Sequence, residues 1–246
     1  TRAIATLDDA DLAASAALGV AEGLRGGITT FADTAPNDAA FNAMRALGVR
    51  GICYREIFGP DPADAAKHLA TFIDQVRAMR ERSTELLRVG VSPHAPYSVS
   101  DALYAALADF AERERLPVAV HIAESADESA LVTRGDGDYA RFLQGRGIAT
   151  PPRGEEPLDV ITRAGLLRRD TLLIHAVRVR EASIALIAHA GCGVAHCPAS
   201  NAKLGHGIAP LHAMLKAGVQ VGLGSDSMAS NDRMDLLEEA RLASFA

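Results

Sequence analysis

Seven short runs of apolar and β-branched residues recur along the chain, and a chemically useful residue stands just after each. The runs lie at 28–31, 49–54, 87–92, 117–120, 171–174, 193–195 and 219–223. Behind them come Asp33, Arg55, His94, His121, His175, His196 and Asp226. Helical patterns fill several of the intervals. Residues 8–24 repeat Leu12, Ala16, Val20 and Leu24 every fourth position, and Gly26-Gly27 stops them. Further helices are predicted over 63–80 after Pro62, from a Ser100 cap through Leu103, Leu107 and Phe110, over 181–190, over 209–217, and from near Met234. Strand followed by helix implies a parallel sheet. A doubly wound sheet gathers its site at one switch point, usually beside a glycine-rich phosphate loop. No such loop motif occurs here. A (β/α)8 TIM-type barrel draws its site from the C-terminal ends of many strands. The distribution of polar residues therefore predicts the barrel, an α/β fold.

The step from His121 to His175 is the longest between neighbouring strand ends, and its excess falls in 133–158. This stretch is rich in Gly, Pro and Arg and reads as an insertion over the barrel mouth, with a short helix at 138–144. The whole of 1–246 reads as a single catalytic barrel carrying that insertion; 246 residues suffice for a large core.

Composition narrows the partners. The net charge is −6 with both signs interspersed and no basic run, which argues against nucleic acid. No apolar run reaches membrane-spanning length, so no membrane partner is predicted. Thr1-Arg2-Ala3-Ile4 opens directly into polar sequence, without a signal-peptide pattern and without an initiator Met, as a processed or truncated segment would. Cys53, Cys192 and Cys197 are odd in number and lack a C-x-x-C pair, which points to small buried residues in a reduced, cytoplasmic setting.

Taken singly, His121 reads as a packed histidine and Asp226 as a turn or cap residue. Together at strand ends, His121, His175 and Asp226 suit a zinc or iron ion, whose ligands are imidazole nitrogen and carboxylate oxygen. Glu124, three residues past His121, stands where it could move a proton to and from an activated water.

The series Gly27-Ile-Thr-Thr-Phe-Ala-Asp33, Ser92-Pro-His-Ala-Pro-Tyr97, Val120-His-Ile-Ala-Glu124, Ile174-His175, Ala195-His-Cys-Pro-Ala-Ser-Asn201 and Gly222-Leu-Gly-Ser-Asp226 resembles the amidohydrolase superfamily, in its aminohydrolase (deaminase and chlorohydrolase) branch. The resemblance covers about residues 20–243. It implies that His121 and Asp226 are metal ligands from the family's strands 5 and 8. It also implies that Glu124 shuttles protons, and that His175 polarises the substrate or steadies the nucleophile against developing charge. His94 would contact the substrate, and Arg55 would reach a substrate polar group or else form a surface ion pair; His196 and Asn201 would shape the strand 7 rim, with Asn201 reaching substrate, or serve structure alone. His206 could line the pocket but is read first as solvent-exposed, and His68, His189 and His212 as helix-surface residues. One divalent metal is implied, zinc or iron, with zinc ahead; for assembly, a homodimer.

The family's strand 1 carries a His-x-His pair, and none occurs here. The first recognisable strand matches the family's second, and its flanking β-rich domain has no counterpart. The expectation is a barrel core with strands 2 to 8. The substrate resemblance is strongest to aminodeoxyfutalosine deaminase, followed by S-adenosylhomocysteine or methylthioadenosine deaminase, then guanine or triazine aminohydrolases and chlorohydrolases. From a different class, a non-catalytic fragment or degenerate binding protein stays open.

Overall fold

In the computed structural model, which describes residues 7–245, helix formation begins with a reciprocal cap. The Asp8 carboxylate accepts the Asp11 N–H, and the Asp11 carboxylate accepts the Asp8 N–H. Helix α1 (Asp9–Arg25) follows and ends at Gly26. The segment Thr1 to Ile4 lies outside the described residues.

The seven expected strands are all present: β1 (Thr30–Ala35), β2 (Arg50–Ile57), β3 (Leu87–Pro93), β4 (Val118–Ile122), β5 (Thr171–His175), β6 (Gly193–His196) and β7 (Gln220–Leu223). They pair in chain order, every neighbour parallel, as a curled half-barrel. Among the described residues, β1 and β7 are edges and do not pair with each other. The expected helices appear as α3 (Ala65–Arg80), α4 (Asp101–Glu114), α8 (Glu181–Ala190), α10 (Leu211–Lys216) and α12 (Leu236–Ala243). Ser100 caps α4 through the Leu103 N–H, as its position predicts. Helices α2 (Ala39–Ala46), α5 (Ala126–Arg134), α7 (Pro157–Arg163), α9 (Pro198–Lys203) and α11 (Met228–Asn231) add to the expected set. They are short, and one to three turns give little periodicity to read. Within 133–158 the expected short helix is α6 (Gly137–Gln144). None of these helices is long and apolar enough to cross a membrane.

Strand alternation sorts side chains into two cores. On the outer face, Phe41, Met44, Phe72, Met79, Leu103 and Phe110 pack between sheet and helices. Burial of each such side chain contributes about 1.5–3 kcal/mol. On the inner face, Ile52, Tyr54, Ala119, Leu172, Ile174, Ala195 and Cys197 form a smaller cluster. All three cysteines are buried and unpaired, as expected. Gly51 lies where a Cβ would strike the Phe31 carbonyl and the Met44 side chain. Gly51→Ala is therefore expected to destabilise the fold by about 1–3 kcal/mol, read as a lower urea midpoint with an unchanged slope.

Candidate active site

Three imidazoles line the C-terminal mouth of the sheet. His121 shares the inner face of β4 with Ala119, and its N–H donates to the His94 carbonyl at 2.9 Å, tying β4 to the end of β3. The His94 and His121 rings are 4.8 Å apart, and His121 and His175 are 5.5 Å apart. Burial, and then the positive charge of neighbouring imidazoles, depresses both first members: His94 falls to about 4 and His121 to about 3. Both are neutral at pH 7, the form in which imidazole binds a cation.

Glu56 joins them, and sequence reasoning missed it. It follows Ile52 and Tyr54 on the inner face of β2, and its Oε1 lies 3.8 Å from His121 Nδ1. Both atoms are buried without a hydrogen-bond partner. Burial raises the Glu56 carboxyl to about 8, with help from Asp33 and Asp226. Glu56, His94 and His121 each bring one donor atom within 4.8 Å of the others. Two imidazole nitrogens and a carboxylate oxygen, two of these atoms unsatisfied, fit a zinc-type cation. The available signal was period two: Ile52, Tyr54 and Glu56 place a carboxylate on an otherwise apolar inner stripe.

Glu124 sits between two further imidazoles. Its Oε1 is 3.4 Å from His175 Nε2 and 3.1 Å from His206 Nε2. His206 is thus a correction to the expected solvent exposure. The turn after α9, closed by the His206 N–H to the Asn201 carbonyl at 2.9 Å, folds it over the site. His175 Nδ1 lies 3.0 Å from Asn201 Oδ1. An amide oxygen only accepts, so Nδ1 carries the proton and Nε2 faces Glu124.

Asp226 is held by its neighbours. Oδ2 accepts the Ser200 and Ser230 hydroxyls at 2.5 and 2.7 Å, and Oδ1 accepts the Ser227 N–H at 2.7 Å. Burial alone would raise its carboxyl, but these hydrogen bonds and nearby His175 outweigh it and leave it lowered. Asp226 is not part of the tight Glu56, His94 and His121 group, although its charge is felt at all three.

Arg55 is buried and pairs with Asp38 at 2.7 Å, while Arg82 engages the other oxygen of that carboxylate. Adjacent strand residues face opposite ways, so Arg55 lies on the face of β2 away from Glu56, and the structure does not bring it to the histidines. His196 is buried with neither ring nitrogen partnered. His189 and His212 are exposed as expected, whereas His68 is half-buried beside Gly59. Helix α6 packs Ala140 and Leu143 on Leu131 and Ile148. It stacks Tyr139 on Tyr97 at 4.2 Å, and Tyr97 meets His94 edge-on at 5.4 Å. A cavity of about 340 Å³ lies behind Tyr97, lined by Val99, Leu131, Ile148 and Arg153, and none of the histidines borders it.

Backbone strain concentrates here. Ala123, His175, Ala176 and Asp226 all have positive φ, at 50°, 71°, 47° and 56°. Each such non-glycine residue costs roughly 1–2 kcal/mol, and such residues cluster at functional sites.

The chain is similar to known proteins over most of its length. A model of the amidohydrolase family matches residues 2–246. A 5-methylthioadenosine/S-adenosylhomocysteine deaminase of Nitratidesulfovibrio vulgaris is 38% identical, over 91% of this chain and 47% of its own length. The crystal structure of a Xanthomonas campestris adenosine deaminase with bound zinc superposes with a TM-score of 0.79 at 27% identity, over 98% of this chain and 52% of that one. The Helicobacter pylori aminofutalosine deaminase superposes at 0.83, with 20% identity, over 94% and 58%; that likeness concerns the fold. The chain spans about half the length of the curated relatives it matches.

Proposed function

The chain belongs to the amidohydrolase family, and on that footing we propose that it carries part of the active site of a metal-dependent deaminase of adenine nucleosides. The reaction is hydrolysis at the 6-amino carbon of the purine, with release of ammonia. The observation that carries this reading is Glu124, set between His175 and His206, with the His121 ring 5.5 Å from that of His175. Relatives at 30% identity or more favour methylthioadenosine and S-adenosylhomocysteine over aminodeoxyfutalosine as substrate.

His121 and Asp226 would hold the cation in this proposal, with Glu56 offering a further donor atom beside His121 and His94 facing the same space. A divalent ion bound there, zinc by its donor set and by the zinc of the Xanthomonas relative, would supply the acidification of a water. Glu124 would take one proton from the attacking water and give it to the purine ring nitrogen, then carry the second, from the new hydroxyl, to the amino group, so that the C–N bond breaks with release of ammonia and the ring carbon keeps the oxygen as a carbonyl. His175, oriented by Asn201, stabilises the charge that develops at the ring. His94 is proposed to contact the purine edge, and the 133–158 insertion to border the nucleoside through Tyr139, which stacks on Tyr97. Arg55 is left outside this scheme, since Asp38 holds it.

The test is ammonia release by the intact, zinc-loaded protein from methylthioadenosine, S-adenosylhomocysteine, adenosine and aminodeoxyfutalosine, with guanine as control. Turnover of an adenine nucleoside supports the reading; stoichiometric zinc with no turnover of any of them overturns it. Asn201→Ala should lower turnover roughly 10- to 100-fold, as loss of a residue that orients an active-site histidine does, with the zinc content unchanged. If turnover were unaffected, the Asn201–His175 bond would have no part in orientation.

A further inference from the structure

Glu128 is fully buried four residues beyond Glu124, and both of its carboxylate oxygens accept backbone N–H groups. Oε1 takes the Ala123 N–H at 2.9 Å and Oε2 the Glu124 N–H at 2.8 Å. Its own N–H donates to the Ser125 hydroxyl at 3.1 Å, which caps α5. On the opposite side, the Ala123 carbonyl accepts the Arg178 N–H at 2.7 Å. The left-handed Ala123 is therefore gripped at both its N–H and its carbonyl. An extended continuation of β4 would carry Glu124 past the site; the clamped turn instead brings its carboxylate to His175 and His206.

A carboxylate suits this task because it offers two acceptor oxygens in a fork. A glutamine at 128 would satisfy one N–H and set an amide N–H2 against the other. Burial raises the Glu128 carboxyl, while the two backbone donors oppose the shift by favouring its ionised form.

We propose that Glu128 is a positioning residue that fixes the Ala123–Glu124 backbone and so aims the Glu124 carboxylate, without touching substrate or metal itself. The inference rests on the proton-carrying role of Glu124.

Two measurements on the intact protein test it. In the zinc-loaded enzyme, Glu128→Gln should reduce kcat about 10- to 100-fold with KM changed by less than about 3-fold. In the double variant Glu124→Gln/Glu128→Gln, the second substitution should add no further loss, because Glu128 acts through Glu124. Independently of substrate, the amides of Ala123 and Glu124 should exchange hydrogen at least about 10-fold faster in Glu128→Gln, while those of Val120 and Leu173 keep their wild-type rates. Additive losses in the double variant, or unchanged exchange at Ala123 and Glu124, would overturn the proposal. A purely structural role would lower the unfolding midpoint and leave the two losses additive. If Glu128→Gln does not fold, Glu128→Asp, which keeps both oxygens and shortens the reach, carries the same measurements. Because exchange needs no turnover, wild-type protein without deaminase activity would count against the function and leave the clamp to be judged by exchange.

Discussion

Glu124→Gln is expected to lower turnover at least about 100-fold while the protein keeps its fold and its metal. The substitution preserves the volume of a side chain that is 11% exposed and keeps an oxygen able to face His206. It removes the one property the mechanism needs, the capacity to take up a proton and release it. General acid–base groups contribute about 10²–10⁴-fold, and among the described residues no second carboxylate pairs with both His175 and His206. The measurement is kcat with the best nucleoside substrate, alongside zinc content by elemental analysis. Retained turnover would remove Glu124 from its role; lost zinc would recast it as a ligand.

The second large effect belongs to His121. His121→Ala should abolish stoichiometric zinc binding and, with it, measurable turnover. Chelation of the wild-type protein should do the same, reversibly on zinc addition. The reason lies in the unsatisfied atoms: His121 Nδ1 and Glu56 Oε1 face each other, buried, across 3.8 Å with no hydrogen bond. A cation between such donors satisfies both. Zinc that binds only the folded state stabilises it by mass action. Wild-type protein should therefore melt higher with zinc, and His121→Ala should not respond. A histidine that merely fills the core would give the opposite pattern, a lower midpoint without metal and an intact response to zinc. Glu56→Gln, which removes the carboxylate and keeps its volume, should weaken the zinc-induced rise without abolishing it.

Much of this site is legible in the amino-acid sequence alone. Alternating strands and helices imply a parallel sheet, because a parallel strand needs a crossover and a helix is the usual one, and polar residues spread over many strand ends select the sequential strand order of a barrel. Strand-end positions pick out His94, His121, His175 and Asp226, because the residue closing an apolar run lies at the rim of the sheet. The spacing His121-x-x-Glu124 marks the acid–base candidate. Short motifs in series point to the deaminase branch.

Those same strand-end residues mark the limit of what is legible. Spacing says that a residue ends a strand, but not which face it takes. By alternation, His175 should point away from Ile174 and toward the helices; a left-handed φ of 71° breaks the alternation and turns it to Glu124. Arg55 obeys the alternation and ends against Asp38, whereas its neighbour Glu56 reaches His121. His206 lies on a glycine-flanked turn that sequence reads as exposed, and only the packing of α9 brings it over Glu124. Asn201 meets His175 across 26 positions of sequence. The sequence by itself determined the fold class, the order of the strands and the residue types at their ends, since these follow from local periodicity. Tertiary structure alone decided which of those residues meet, because each meeting depends on a strained turn or on contacts between elements far apart in the chain.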